Sequence, residues 1–414
     1  MKKRILFVND DSNYVAKLRS IVDKVQWKWD IHFTRSGREA LNILKKEPYD
    51  VLICDVSLPD MNYTDLLKQV REQYPKIARI VLTSLQEKEN TLRAIRLAHQ
   101  CLLKSSVPDD LESKLNSIFN LHDLFINSNF RRIISQIDFL PSISFLYDET
   151  LRRLNSPNTS TRAIGELIAK DMGMTSTILR LVNSAFFGFA YRISDPVHAV
   201  NLLGLETVKT LVFSIKLFSQ FQKENIEDLS IEDFWRHSLE VGILARRIST
   251  AERMKKQVIH DSFTAGLLHD VGKFIVAANL PDEYHAAISL AAKKKIEVSK
   301  AEQEVIGTTH AEIGAYLLGL WGLPEKVVEA VAFHHRPRER TPIYFTPLSA
   351  VYIANILRGE INSSGNTVGK RPELDMGYLL DLGLTKHLSM WQKICHSTHN
   401  DYKAIFKDSY VFST

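Results

Sequence analysis

The sequence predicts a doubly wound α/β domain with a five-stranded parallel sheet, followed by an all-α domain. Two observations carry this prediction. Residues 1–120 alternate short apolar runs with stretches of helical periodicity, a pattern typical of a parallel sheet that helices cover on both faces. From about residue 121 the strand-like runs nearly disappear, while the helical periodicity continues. We therefore expect the chain to join two domains of different architecture.

Five apolar runs of the first domain are predicted as strands. They are ILFV (5–8), WDIHFT (29–34), DVLICD (50–55), RIVLTS (79–84) and CLLK (101–104). Their nearly uniform apolar character is typical of parallel strands buried on both faces. Helices are predicted between the strands and after the last one, and the fourth of these helices is expected at residues 89–99.

The second part is predicted to be a succession of amphipathic helices, several of which start at a capping residue or a proline. We expect a connecting helix at 121–135 and the main helical domain at 136–358. The Gly, Ser and Asn content of 359–372 indicates a flexible loop. Residues 373–414 are expected to add helices that pack on this domain. Residues 291–304, AAKKKIEVSKAEQE, are predicted as a solvated helix and turn.

Composition and charge argue against several classes of protein. The 414 residues are 45% hydrophobic and 24% charged, with a formal net charge of +5, which is ordinary for a globular protein. Lys and Arg alternate with acids rather than forming a basic block, so direct nucleic-acid binding is not expected. Three scattered cysteines suit neither a disulfide framework nor a zinc knuckle. Because we find neither a signal peptide nor a membrane-spanning run, we expect a cytoplasmic protein without a membrane partner.

The first candidate site lies at the carboxyl end of the predicted sheet, where ligands of doubly wound folds collect. Asn9 and Asp10 come after strand one, and Asp55 ends strand three. Thr83 and Lys104 lie at the ends of strands four and five. This set suits phosphoryl transfer to a carboxylate, with Asp55 as nucleophile and Asp10 as a ligand of Mg²⁺. Lys104 would then pair with a phosphoryl oxygen, and the Thr83 hydroxyl would sense the new group.

The order of these residues resembles the receiver domain of bacterial two-component response regulators, a flavodoxin-like module. The resemblance implies that Asp55, in LICDVSLP, accepts phosphate from a partner histidine kinase, which would make this chain a phosphoprotein. It also implies that the backbone carbonyl of Ser57 joins Asp10 and Asp55 around Mg²⁺.

Three positions depart from the receiver pattern. Asn9 stands where the family usually has an acid, and an amide oxygen is a weaker ligand than a carboxylate for a hard cation. Ser105 replaces the proline that usually follows Lys104, and Cys101 replaces an aromatic switch residue. Weaker Mg²⁺ binding and slower switching are therefore expected.

The second candidate site is a set of polar ligand types within the apolar helices. Its members are His237, His269, Asp270, His310, His334 and His335. Imidazoles and a carboxylate from several helices could hold one or two transition metals, which would activate water for phosphoester hydrolysis. The other interpretation is structural: His237 would bond across helices and Asp270 would pair with Lys273. Both remain open from the sequence.

This layout resembles the HD phosphohydrolase superfamily, whose closing aspartate should fall in AVYIANILRG, where this chain has Asn355. The closer resemblance is to the HDOD domain. The segments that carry it are LIAKDMGMTSTILRLVNSAFFG, AVNLLGLETVKTLV, FTAGLLHDVGK and HAEIGAYLLGLWGLPEKVVEAVAFHH. HDOD domains are generally regarded as interaction modules, and the Gly-Tyr-Pro signature of cyclic-dinucleotide hydrolases is absent here.

Together these resemblances predict a response regulator in a phosphorelay. Phosphorylation of Asp55 would change the exposure or pairing of a non-catalytic HDOD domain that binds another signalling protein. The competing prediction is a metal-dependent phosphodiesterase that acts on a cyclic dinucleotide under receiver control. A third is a pseudo-receiver scaffold, with Asn9 marking lost phosphorylation. Residues 89–99 and strand five form the face that receivers often use to dimerise, which leaves a homodimer through the receiver as an open possibility.

Overall fold

The computed structural model describes most of the chain. The described residues are 2–25, 29–84, 97–105, 111–112, 115–116, 118–120, 133–134, 137, 144–156, 159–183, 192–205, 207–209, 212, 230–340, 344–361, 369–370 and 372–407. The predicted connecting helix therefore lies outside the described residues except for its residues 133–134, which are helical.

The first domain is a five-stranded parallel sheet with the order β2-β1-β3-β4-β5. Its strands are β1 (Arg4–Val8), β2 (Asp30–Thr34), β3 (Val51–Asp55), β4 (Ala78–Thr83) and β5 (Gln100–Leu103). All residues of β3, β4 and β5 are buried, which explains why their sequences are mostly apolar. The predicted fold class is confirmed, and each predicted strand end lies within one residue of the observed end.

Helices cover this sheet. They are α1 (Ser12–Val25), α2 (Gly37–Leu44) and α3 (Tyr63–Gln73). The Ser36 side chain caps α2 by accepting a hydrogen bond from the Glu39 amide, and Asn62 caps α3 in the same way through the Thr64 amide. The helix predicted at 89–99 falls mainly outside the described residues.

The second domain is built from helices throughout its described residues. They are α4 (Ser144–Leu154), α5 (Thr161–Ile168), α6 (Met172–Val182), α7 (Pro196–Leu203), α8 (Ile231–Ala251), α9 (Lys256–Leu268), α10 (Val271–Asn279), α11 (Pro281–Lys294), α12 (Val298–Val305), α13 (His310–Leu320), α14 (Glu325–Phe333), α15 (Pro347–Ile361), α16 (Met376–Asp381) and α17 (Leu388–Lys407). Helix α8 packs against α9 and α15, and α13 packs against α10 and α14. These contacts bring the ends of α9, α13 and α14 together.

The C-terminal helix packs on the second domain. Arg247 of α8 donates to the Thr398 hydroxyl of α17 at 3.0 Å, and Trp391 of α17 is fully buried. The loop predicted at 359–372 falls largely outside the described residues, and α15 continues to Ile361. Among the described residues, none of the helices has the length and apolar character needed to span a bilayer.

Candidate functional sites

The first site surrounds Asp55, the last residue of β3, which is 1% exposed. The Lys104 ammonium, just after β5, lies 2.7 Å from Asp55 Oδ2. Asn9, just after β1, donates from its side-chain amide to the same oxygen at 2.6 Å. The Ser57 amide donates to Asp55 Oδ1 at 3.1 Å. The carboxylate is thus held by one cation and two hydrogen-bond donors.

Asn9 acts here as a donor, because its side-chain oxygen accepts a hydrogen bond from the Asp11 amide at 2.8 Å. A second carboxylate so close to Asp55 would repel it, and an amide removes that repulsion. The prediction that Asn9 is a weak metal ligand stays a prediction.

The donor set of this site fits Mg²⁺. Asp10, exposed just after β1, and the buried Asp55 can supply two carboxylates, and Ser57 can add its backbone carbonyl. These are the oxygen ligands that Mg²⁺ prefers. When bound, the ion would neutralise the charge of a phosphoryl group.

Two further side chains border this site. Thr83 ends β4 and is fully buried. Tyr14, in α1, donates to the Lys104 carbonyl at 3.4 Å. Burial raises the pKa of the Tyr14 phenol, and the charge of Asp55 raises it further, so the hydroxyl keeps its proton. Sequence reasoning missed Tyr14 because an aromatic residue at helical spacing is indistinguishable from an ordinary core residue.

In the second site, the ends of several helices bring the predicted ligands together. His269 and Asp270 form the junction between α9 and α10, and His310 is the first residue of α13. The close crossing of α10 and α13 requires Gly272, because a Cβ atom there would lie 1.8 Å from the His310 carbonyl oxygen. Glycine therefore sets the distance between Asp270 and His310.

Asp270 is the centre of the site and divides the histidines into two groups. Its Oδ2 lies 3.5 Å from His237 Nε2 and 3.3 Å from His269 Nε2. Its Oδ1 lies 3.2 Å from His310 Nε2 and 3.6 Å from His334 Nε2. A carboxylate in this position can bridge two cations, one at each group of imidazoles.

His335 completes the second group. Its Nε2 lies 3.0 Å from His310 Nε2, and its ring centroid lies 4.1 Å from that of His334. Adjacent side chains on a helix point about 100° apart. Because α14 ends at His334, the backbone can turn there and let the rings of His334 and His335 face the same point. The structure thus brings together all six predicted ligands.

Hydrogen bonds orient three of these imidazoles. His269 Nδ1 lies 2.8 Å from the Gly266 carbonyl oxygen, and His334 Nδ1 lies 2.8 Å from that of Val331. A carbonyl oxygen only accepts, so Nδ1 must carry the proton and Nε2 presents its lone pair towards Asp270. Among the described residues, Asp270 Oδ1 and His334 Nε2 are buried without a hydrogen-bond partner. The Nδ1 atoms of His269 and His334 are bonded to the backbone, and the site's inner atoms include two without hydrogen-bond partners among the described residues. This arrangement fits a transition metal.

Glu302 of α12 orients the third imidazole and was missed in the sequence. Its Oε2 lies 2.6 Å from His310 Nδ1 and accepts from the His310 amide at 2.9 Å. Glu302 is fully buried, so the prediction of a solvated helix for 291–304 is wrong at this position. The only signal in the sequence was that Glu302 lies eight residues before His310. This spacing indicates a contact only when one knows that the chain turns back between α12 and α13.

The charges of the second site leave the lone pairs of His237 and His334 available, whereas at His310 the neighbouring Glu302 carboxylate outweighs burial and raises the pKa. Burial lowers the pKa of His237 to about 4 and that of His334 to about 3, so both imidazoles are neutral near pH 7. Burial opposes the ionisation of Asp270, but the neighbouring His269 and the Lys273 ammonium hold its pKa well below the usual range. Lys273 Nζ lies 2.6 Å from Asp270 Oδ2, so an ammonium already neutralises one of the two oxygens. This is the Asp270–Lys273 pair that the structural alternative to metal binding predicted from the sequence.

A cavity of about 320 Å³ adjoins the second site. His334, His335, Tyr352 and Asn355 line it. Asn355 therefore faces the same space as the two histidines but brings an amide where a hydrolase would bring a carboxylate. Arg336 also lines the cavity, and its guanidinium lies 2.8 Å from a Glu312 oxygen.

Two family models match the chain. The response regulator receiver domain matches residues 5–116, and the HDOD domain matches residues 140–337. The chain joins a receiver domain to an HDOD domain. The resemblance identified in the sequence is therefore confirmed for both halves, and the combination is that of response regulators. A receiver implies a phosphodonor such as a histidine kinase, and receivers typically bind Mg²⁺.

Individual relatives match parts of the chain. A protein of Treponema pallidum (strain Nichols) is 29% identical over 232 residues, which cover 55% of this chain and 44% of that protein. The hydrogenase transcriptional regulatory protein HoxA of Cupriavidus necator is 31% identical over 109 residues, 26% of this chain and 22% of HoxA. The chain thus spans less than half the length of either relative. The crystal structure of the MmoQ response regulator from Methylococcus capsulatus str. Bath is 22% identical and covers 61% of this chain and 98% of its own, with a TM-score of 0.46.

Proposed function

We propose that this protein is a phosphorelay response regulator in which a histidine kinase phosphorylates Asp55 and the HDOD domain binds a signalling protein. The observation that carries the proposal is the position of Asp55, a buried carboxylate at the carboxyl end of the sheet with Lys104 Nζ at 2.7 Å. The domain bounds 1–120 and 136–358 belong to this proposal, and the matched ranges 5–116 and 140–337 fall inside them.

The chemistry is a transfer of one phosphoryl group. An oxygen of Asp55 attacks the phosphorus of a phosphohistidine, the P–N bond breaks, and the electron pair of that bond returns to the imidazole of the kinase. Lys104 then exchanges its carboxylate contact for a phosphoryl oxygen and keeps its charge paired. Mg²⁺, when bound by Asp10, Asp55 and Ser57, would neutralise the incoming phosphoryl charge.

Labelling with acetyl phosphate tests this assignment. The full chain should take up one phosphoryl group in the presence of Mg²⁺, as measured by intact mass, and Asp55→Asn should take up none. Asp65→Asn is the matched control, because Asp65 is an exposed acid in α3 outside the site. Uptake by Asp55→Asn would refute the assignment, and no uptake by the wild type would support the pseudo-receiver alternative.

A metal-dependent phosphodiesterase is the second candidate, and one observation favours it. Asp270 Oδ1 and His334 Nε2 lie 3.6 Å apart in the second site, and neither has a hydrogen-bond partner among the described residues. A bound cation would satisfy both atoms. Metal analysis combined with turnover of a cyclic dinucleotide separates the candidates. A metal-loaded protein without turnover supports the binding module, whereas turnover that is lost in His310→Gln supports the enzyme. His285→Gln is the control, because His285 lies in α11 outside the cluster.

A homodimer through the receiver remains part of the proposal. The face predicted for it includes β5 and residues 89–99, of which 97–99 are described. Sedimentation of the full chain before and after phosphorylation would test whether it pairs.

A further inference from the structure

The loop that follows Asp55, residues 56–62, is tied to the start of α2, and we name it the Ser57 loop. Asp60 Oδ1 accepts a hydrogen bond from the Gly37 amide at 2.9 Å, and Asp60 Oδ2 accepts one from the Arg38 amide at 2.9 Å. Gly37 is the first residue of α2, so both amides belong to the N–H groups that a helix leaves without an internal partner. Asp60 therefore joins the Ser57 loop to a helix that begins 23 residues earlier in the chain.

Packing and charge both support this contact. The Met61 side chain packs on Gly37, where a Cβ atom would collide with it. A carboxylate is favoured at the start of a helix, because the positive end of the helix dipole lies there. Burial acts against the ionised form of Asp60, but the amides of Arg38 and Gly37 outweigh it and lower the pKa of this carboxyl group. Asp60 is therefore ionised near pH 7 and holds both amides.

Ser57 lies between this contact and the proposed phosphorylation site. Its amide donates to Asp55 Oδ1 at 3.1 Å, and the Val56 amide donates to the Leu82 carbonyl of β4 at 3.1 Å. Asp60 follows Ser57 by three residues, a length of chain that spans at most about 10 Å. The Ser57 loop is thus fixed on both sides of Ser57, which restricts the backbone at this residue.

The same end of α2 is also connected to the loop after β1. Strand β2 ends at Thr34, three residues before α2 begins at Gly37, and the Thr34 carbonyl accepts a hydrogen bond from the Asn9 amide at 3.0 Å. Asn9 in turn donates from its side chain to Asp55 Oδ2 at 2.6 Å. The start of α2 is therefore connected to both of these loops beside Asp55.

We propose that Asp60 is a positioning residue for Mg²⁺: by capping α2 it holds the Ser57 loop in place, so that the Ser57 carbonyl is available to the ion. This inference rests on the Mg²⁺ site of the proposed function. Asn9 supplies no charge to that site, so binding depends more on how well the remaining ligands are placed. A loop that adopts the binding conformation only part of the time lowers the apparent affinity in proportion to that fraction.

A calorimetric titration of the unphosphorylated full chain with MgCl₂ tests this proposal. The receiver site is identified as the Mg²⁺ binding that is lost in Asp55→Asn. Asp60→Ala should raise the dissociation constant of that site by about fivefold, the effect of one lost helix cap. Asp60→Asn keeps one acceptor and should raise it less. Asp195→Ala is the matched control and should leave the constant unchanged, because Asp195 caps α7 of the other domain through the Val197 amide at 3.0 Å.

Two further measurements separate positioning from a general loss of stability. In Asp60→Ala the Mg²⁺ concentration for half-maximal labelling by acetyl phosphate should rise about fivefold. The rate at saturating Mg²⁺ should stay close to that of the wild type, because the bound ion restores the loop, whereas a destabilised receiver would lose rate at every Mg²⁺ concentration. Hydrogen exchange of the metal-free variant should rise in a peptide covering 35–41, which contains the two amides that Asp60 holds.

The outcomes distinguish this inference from the proposed function. Faster exchange with an unchanged dissociation constant would show that Asp60 only caps the helix, and unchanged exchange would refute the cap itself. Equal changes in Asp60→Ala and Asp195→Ala would also refute the positioning role. A wild type that binds Mg²⁺ but takes up no phosphate refutes the proposed phosphorylation alone, because the titration tests Asp60 without it. Mg²⁺ binding that persists in Asp55→Asn would refute the receiver metal site and this inference with it.

Discussion

Each of the two candidate sites is centred on a buried aspartate paired with a lysine, and the sites differ in the residues that surround this pair. Each has one aspartate that is 1% exposed, Asp55 or Asp270, with a lysine ammonium at 2.7 or 2.6 Å. Around Asp55 the other neighbours donate, from Asn9 and from the Ser57 amide. Around Asp270 they are imidazoles that offer lone pairs, and one carboxylate oxygen lacks a hydrogen bond among the described residues.

This difference assigns each carboxylate its chemistry. The donors around Asp55 stabilise its carboxylate and could also stabilise the negative charge of a phosphoryl group, so the Asp55 site suits phosphoryl transfer. Imidazole lone pairs that converge on a carboxylate form a ligand set for a transition metal, so the Asp270 site suits a metal. The variants described below should therefore affect one site and spare the other.

The largest expected effect is at the proposed transition-metal site, probed with added Zn²⁺, in the variant Asp270→Asn. The amide removes the charge that both groups of histidines share, so stoichiometric Zn²⁺ binding should disappear. Phosphate uptake at Asp55 should remain, and Asp55→Asn should show the reverse pattern. Elemental analysis and intact mass on the same preparations measure both. Wild-type Zn²⁺ content in Asp270→Asn would remove the basis of the comparison.

The next effect concerns Glu302, which orients His310 from outside the cluster. Glu302→Gln should weaken Zn²⁺ binding by about 10–100-fold, as expected for loss of a carboxylate behind a ligating histidine. A competition titration with a chelator measures this. Glu304→Gln on the same helix is the control, because Glu304 is exposed and pairs with Lys294. Equal losses in both variants would contradict a positioning role.

Lys273→Met should tighten Zn²⁺ binding by about tenfold, because the ammonium repels a cation at Asp270. In the metal-free protein the same change leaves a buried carboxylate without its cation and should cost about 3 kcal/mol of folding stability. Melting with and without Zn²⁺ checks both signs. Lys300→Met, at an exposed lysine of α12, should change neither. A variant that loses metal affinity would show that Lys273 supports the metal site.

The smallest effect is expected at Asn9. Asn9→Asp adds a carboxylate at the entrance of the receiver site and should tighten Mg²⁺ binding by about fivefold, the value of about 1 kcal/mol for a charge pair in a water-like medium. The Mg²⁺ dependence of the phosphorylation rate measures it, with Asn13→Asp as the exposed control. A loss of Mg²⁺ affinity would indicate that the amide is needed as a donor to Asp55.

Much of this protein was determined by local sequence patterns. Alternating apolar runs predicted the five strands, because burial on both faces leaves a continuous apolar signature. The residue types at the strand ends identified Asp55 and Lys104, since parallel strands must end at one edge of the sheet. The His-Asp and His-His pairs identified the second cluster, because these residue types are the ligands that a transition metal requires.

The tertiary structure decided the features that depend on how distant segments meet. Glu302 has an unremarkable helical context, and only the return of the chain at α13 places it against His310. The close approach of Asp270 to His310 depends on the crossing of α10 and α13 at Gly272. The contact of Arg180 with Ala98 joins residues 82 positions apart. Hydrophobic periodicity indicates which face of a helix or strand is buried. It does not indicate which distant segment packs against that face, because that depends on the whole fold.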